Sequence, residues 1–295
     1  MIEAKESTAC QRLQGLCFVV DTVEHGQASE YASYLYKYAS IGFNENDLEI
    51  NQTSTYALGM LATRGLLPDA TTTWLPRFQT LAKAWLERKK MKEQIESQGY
   101  NDNEEDDDEK ETKQQLIFEN AVGAIGKILR NNKPSDNVYF SFLFIFTCFI
   151  VETLRWWIGL LPIVEDVEEM TNVVENLLFF VEKHTFMFDR FGPELFKDKK
   201  TAEHTLFVLR FYISTYHGAP SVYETIMLCT CDDDDDERAE LAMLPVVELD
   251  TLRKTFEMLN NLKKVLPSQM FESVKKKFSD AEQKNFQFYF ETYCK

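Results

Sequence analysis

The chain has 295 residues, 44% of them hydrophobic, 13% aromatic and 27% charged, enough for a large buried core and unlike a disordered chain or a disulfide miniprotein. Forty-eight acidic residues against 32 basic ones leave a formal charge of −16, which argues against a direct grip on nucleic-acid phosphates and in favour of a basic partner. Eleven glycines and eight prolines are few for strands joined by tight turns, so helices are expected.

Taken in chain order, residues 1–7 are polar and acidic and read as neither a secretory signal nor an Arg-rich transit peptide. The six cysteines (Cys10, Cys17, Cys148, Cys229, Cys231, Cys294) lack the dense spacing of a disulfide framework, so a reducing compartment, cytosol or nucleus, is expected. Asn51-Gln-Thr53 fits a glycosylation pattern but reads as the start of a helix. Leu75, Phe78, Leu81, Ala82 and Trp85 recur at helical spacing, and so do Val167, Met170, Val173, Val174, Leu177, Leu178 and Val181. Residues 138–151 (VYFSFLFIFTCFIV) carry no charge, but a bilayer needs about 20 such residues. Extending the run takes in Glu152 and Arg155, so no membrane span is expected. Leu249, Leu252, Phe256, Leu259, Leu262 and Val265 form a further stripe that Pro267 ends. Ser279 and Glu282 have the spacing of a capping box that opens a last helix through Phe290.

Two acidic stretches interrupt this text: residues 101–111 (NDNEEDDDEKE), within a polar region at 92–113, and 231–237 (CDDDDDE), within 218–240. Self-repulsion and the lack of apolar surface predict solvated loops, inserted rather than separating domains. Gly59 and Gly126 each sit at the centre of an amphipathic helix and are 67 residues apart. With the 23 polar residues from Met91 to Lys113 set aside, the spacing becomes 44, inside the ~40–47 period of HEAT-type helix pairs. The expected fold is all-α: a right-handed α-solenoid of antiparallel HEAT-type pairs, about six repeats stacked on their neighbours over residues 1–295.

Four stretches carry a resemblance: TYALGMLA at 55–62, ENAVGAIGKIL at 119–129, WWIGLLPIVEDVEEM at 156–170 and LKKVLPSQMFESVKKKFSDAEQKNFQ at 262–287. In this order they resemble the C-terminal HEAT repeats of the importin-β superfamily, in the karyopherin branch that contains importin five and importin four. The likeness runs from about Leu16 to the end, with gaps at the acidic stretches. It is also interrupted at 138–150 by an atypical apolar insertion with five phenylalanines among thirteen residues, readable as retained intron sequence or as a very apolar first helix of a repeat. The resemblance implies a nuclear import receptor segment that binds basic cargo, such as ribosomal proteins or histones, together with Phe-Gly nucleoporins. It implies Ran-GTP contacts mainly in N-terminal repeats not found in this chain, a monomer, no enzymatic activity and no cofactor. The location it implies is cytoplasm, nucleus and nuclear pore. The alternative is a HEAT-repeat scaffold or adaptor unconnected with transport, because a fold does not name a function.

No catalytic or metal constellation stands out. His25, His184, His204 and His217 lie in unrelated contexts without a triad, and His25 and His184 read as caps at helix ends. Cys229-Thr-Cys231 has no second couple to complete a zinc site, and Asp232 to Asp236 lack the alternating ligands and turn glycine of an EF-hand loop. No phosphate-cradling glycine motif occurs, since Gly123-Ala-Ile-Gly126 lies inside a helix. The candidate cargo-binding residues are therefore acids and aromatics. Asp106, Asp107 and Asp108 come from the first acidic stretch. Glu165, Asp166, Glu168 and Glu169 come from the turn and first helical turn after Pro162, and Trp156 and Trp157 face different sides of one helix, one of them expected in the core.

Overall fold

A computed structural model describes residues 3–22, 25–97, 105–131, 151–182, 196–215 and 249–293, and every regular element among them is helical. The contacts divide the chain into two compact units, Met1–Trp157 with Ile163–Val173, and Ile158–Pro162 with Val174–Lys295. The apolar stretch 138–150, the acidic loop 218–240, His184, His217 and Cys229-Thr-Cys231 lie outside the described residues.

The first unit begins with α1 (Glu3–Thr22), α2 (His25–Gly42) and α3 (Leu48–Thr63). His25 is the first residue of α2, three residues after the end of α1, and its side chain lies outside the described residues. Asp47 caps α3 by accepting from the Ile50 amide at 2.9 Å, which starts the helix three residues before Asn51. The Asn51 amide is instead spent on the preceding turn, donating to the Phe43 carbonyl at 2.8 Å. At the other end Gly65 takes φ +67°. The Gly65 amide reaches Ala62 O at 3.1 Å and the Leu66 amide reaches Leu61 O at 2.9 Å, a Schellman closure that favours glycine in the left-handed region. A π-helical turn, Ala70–Trp74, then leads into α4 (Leu75–Ser97). It buries Trp74 edge-on against Phe43 (5.4 Å between centroids, 89°) and Tyr36 (6.1 Å, 84°).

The helix α5 (Glu105–Asn131) packs against both α3 and α4. Its partners along α4 run in opposite order, Arg88 to Gln114 and Lys92 to Glu111, so these two helices are antiparallel. Against α3 the order is the same: Gly59 meets Ala124, where an added Cβ would lie 3.3 Å from the alanine methyl, and the Asn131 amide donates to Ala62 O (3.0 Å) and Thr63 O (3.1 Å). The same holds between α1 and α3. Asp21 meets Arg64, 43 residues on, and Cys10 meets Thr53 at the same offset. Thus α3 lies between α1 and α5, all three pointing one way, and Leu13, Val20, Leu58, Leu61, Val122 and Ile125 on these helices are buried.

This corrects the expectation of a solvated loop at 92–113. Residues 92–97 complete α4 and residues 105–113 begin α5, so only 98–104 lie outside the described residues. Lys, Glu and Gln are good helix formers, and acidic residue types are favoured at a helix start, where unpaired N–H groups form the positive end of the dipole. Ion pairs within α5 (Glu109 with Lys113, 2.9 Å) and across the pair (Lys92 with Glu111) then offset the lack of apolar burial. Gly59 lies against Ala124 of α5, the helix that also carries Gly126.

A short helix over residues 151–158, α6, brings Trp157 onto α5, and α7 (Val167–Glu182) follows. In the second unit α8 (Lys199–Thr215) packs against α9 (Leu249–Val265), α10 (Ser268–Lys275) and α11 (Asp280–Tyr293). Asp198 caps α8 through the Thr201 amide at 3.0 Å. The predicted capping box forms: the Ser279 amide donates to Glu282 Oε2 at 2.7 Å, and the Glu282 amide to Ser279 Oγ at 3.3 Å. His204 holds the Leu161 carbonyl at 2.9 Å through Nε2, and its burial pushes the imidazole below its ordinary value.

Candidate functional site

The turn between α6 and α7 is held by a carboxylate from α5. Glu119, fully buried, accepts from Val164 N (3.0 Å) and Gln115 Nε2 (2.7 Å) on Oε1, and from Glu165 N (2.9 Å) and Asp166 N (2.7 Å) on Oε2. Three successive backbone amides thus find their acceptor in one side chain, which orients the whole turn. Asp166 then caps α7, its Oδ1 accepting from the Glu169 amide at 2.9 Å.

Beyond the cap, Glu169 turns inward. Its Oε2 pairs with Lys127 Nζ at 2.7 Å, and the two residues are 1% and 5% exposed. The glycine at Gly123 makes room, because a Cβ there would overlap the Glu169 carboxylate. Lys127 also stands over the Tyr56 ring, 5.8 Å from its centroid. On α6, Trp157 is fully buried and its indole N–H donates to Val122 O at 2.7 Å.

These facts sort the sequence candidates. Glu169 is a buried structural ion-pair partner, so its charge is not presented to cargo, contrary to the expectation. Trp157 belongs to the core, as one of the two tryptophans was expected to, while Trp156 stays partly exposed with Lys83 Nζ 5.6 Å from its ring centroid. Glu165 is exposed at the turn, and Asp166 is half-buried. Glu168 falls in the first turn of α7, and Asp106, Asp107 and Asp108 in the first turn of α5; their side chains lie outside the described residues.

Asp166 is the candidate that reaches a groove. A cleft of about 440 Å³ runs over α1, α3 and α5, and Asp166 lines it with Asp21, Phe18, Gln52, Tyr56 and Asn120. Phe18 is 71% exposed at its edge, and Asp21 carries Arg64 at 3.3 Å. With Gln14, the groove offers two carboxylates, two aromatic rings and three amides, a lining that can take a cationic side chain over a ring and accept its hydrogen bonds. Phe18, Tyr56, Gln52 and Asn120 were missed in the sequence, where their helical spacing marks them only as parts of amphipathic helices; an unusually exposed phenylalanine can be seen only after packing.

Compared with known proteins, the chain matches no family model, no curated protein and no solved structure. Among the described residues no helix is long and apolar enough to cross a membrane.

Proposed function

We propose that this chain is a segment of a HEAT-repeat nuclear import receptor of the importin-β type, without catalytic activity, that binds basic cargo in its acidic groove. The observation that carries the reading is the line of α1, α3 and α5, parallel neighbours with a 43-residue offset between the first two. That offset falls within the ~40–47 period of HEAT repeats, and alternate helices lying side by side are what stacked antiparallel pairs produce. The larger offset from α3 to α5 is accounted for by the polar extensions that lengthen both α4 and α5.

Charge supports the partner. A surface at −16 draws Lys/Arg-rich segments from a distance, and Asp21, Asp166, Phe18 and Tyr56 provide short-range contacts for a histone tail or ribosomal-protein extension. Exposed Tyr31, Tyr34, Tyr38 and Ile41 on α2 provide apolar purchase for Phe-Gly nucleoporin repeats, and Ran-GTP completes the proposed cycle through repeats outside this chain. Cytoplasm, nucleus and nuclear pore are its proposed locations.

The test is binding of the full chain to a labelled histone-tail peptide and to a Phe-Gly repeat peptide. Retention of both is expected, the first weakening steeply as salt rises and with Phe18→Ala, the second lost with Tyr34→Ala plus Tyr38→Ala. Binding of the basic peptide without any Phe-Gly affinity would leave a scaffold or adaptor, and retention of neither would end the cargo reading.

A further inference from the structure

The second unit contains a cleft whose charge is opposite to that of the chain. It has a volume of about 580 Å³, within the range of about 300–1,000 Å³ usual for ligand clefts, and lies among α8, α9, α10 and α11. Phe256, Leu206 and Phe286 belong to its apolar part, together with Leu259, Phe271 and Val274; Arg210, Lys263, Lys275 and Lys284 are its cations, against Glu272 and Asp280. Four positive groups against two negative ones stand out in a protein with 48 acidic and 32 basic residues. Among the described residues, Arg210, Lys263, Lys275 and Lys284 have no carboxylate within ion-pair distance.

Arg210 is the central group. Its guanidinium stacks over Phe286 (4.2 Å to the centroid) and Phe278 (5.0 Å), which fixes the plane, while Nε is buried with no acceptor among the described residues. Burial also lowers the arginine's hold on its proton, opposed by Glu272 and by Glu282 of the capping box, so both neighbouring carboxylates act on it without making the bond. A planar, pre-positioned donor beside an apolar floor lacks one component, a carboxylate attached to something hydrophobic.

We propose that this cleft docks an acidic peptide, with an aromatic or aliphatic side chain against Phe256 and Phe286 and carboxylates directed to Arg210, Lys263 and Lys284. A nucleic-acid strand fits less well, because Glu272 and Asp280 in the wall oppose a continuous row of phosphates. The site is separate from the groove proposed for basic cargo and takes a partner of the opposite sign, so it stands or falls independently of that reading.

Fluorescence anisotropy of the full chain with a short labelled peptide of Glu, Leu and Phe tests it. Saturable binding is expected, weakened about tenfold or more by Lys263→Glu with Lys284→Glu and unchanged by Lys89→Glu with Lys90→Glu on α4. Exposed lysines are chosen so that the fold survives, which circular dichroism checks. Arg210→Lys, which keeps the charge but loses the planar donor, is expected to weaken binding by itself. The proposal is overturned by an absence of saturable binding, by equal affinity for a peptide with Lys in place of Glu, by indifference to the Lys263/Lys284 reversal, or by an oligothymidine probe that binds as tightly.

Discussion

Lys127 and Glu169 join α5 to α7 at a point from which water is excluded, and the pair is possible only because Gly123 leaves a gap. Removing one partner strands a buried charge, so Lys127→Met is expected to destabilise the fold by about 3–5 kcal/mol in urea unfolding, and Lys127→Met with Glu169→Leu by clearly less. Gly123→Ala should be costly and Gly59→Ala nearly neutral, although both gain about 1 kcal/mol of helix propensity. The first methyl would overlap a fixed carboxylate; the second would meet the Ala124 methyl at 3.3 Å, which a small helix shift relieves. Equal costs for the two would show that the Glu169 side chain moves aside freely. The residue types at 165–169 were correctly read as belonging to a turn and a helix start, but which acid faces inward depends on α5, whose Lys127 is 42 residues away.

At the scale of elements, the last helix shows how local chemistry becomes stability. The Ser279 hydroxyl and amide both bond the Glu282 carboxylate and hold its proton affinity below the ordinary carboxylate range. A depressed folded value means that the contribution is complete above the ordinary carboxylate pKa and is lost as pH falls through the lower one. Ser279→Ala is expected to cost about 1 kcal/mol at neutral pH, read by urea unfolding, with the difference from the parent narrowing in acid. A difference that stayed constant down to the acid transition would remove Glu282 from the explanation. This box was legible because both its members lie within one helical turn. The hairpin of α4 and α5 was not, since the polar text at 92–113 lacks an apolar stripe and becomes helical by extending two helices already fixed by Phe78, Trp85, Phe118 and Ile125.

Over the whole molecule, a formal charge of −16 opposes compaction and attracts cations. Raising sodium chloride from low to physiological strength should therefore raise the melting temperature while weakening capture of a basic peptide, two opposite responses to one screening effect. Thermal melts and binding curves measured in the same buffers check this, and a melting temperature that fell with salt would mean that favourable ion pairs such as Lys92 with Glu111 outweigh the repulsion.

Helical class, the stripes of α4, α7 and α9, the stop at Pro267 and the capping box were all determined by the amino-acid sequence, because each depends on residues within a turn or two of one another. Tertiary packing decided the rest. The 43-residue pairing of α1 with α3, the burial of Glu169 and Trp157, and the opposite charges of the two clefts arise where helices far apart in the chain meet, and side-chain periodicity states which face is apolar without naming the face it will touch.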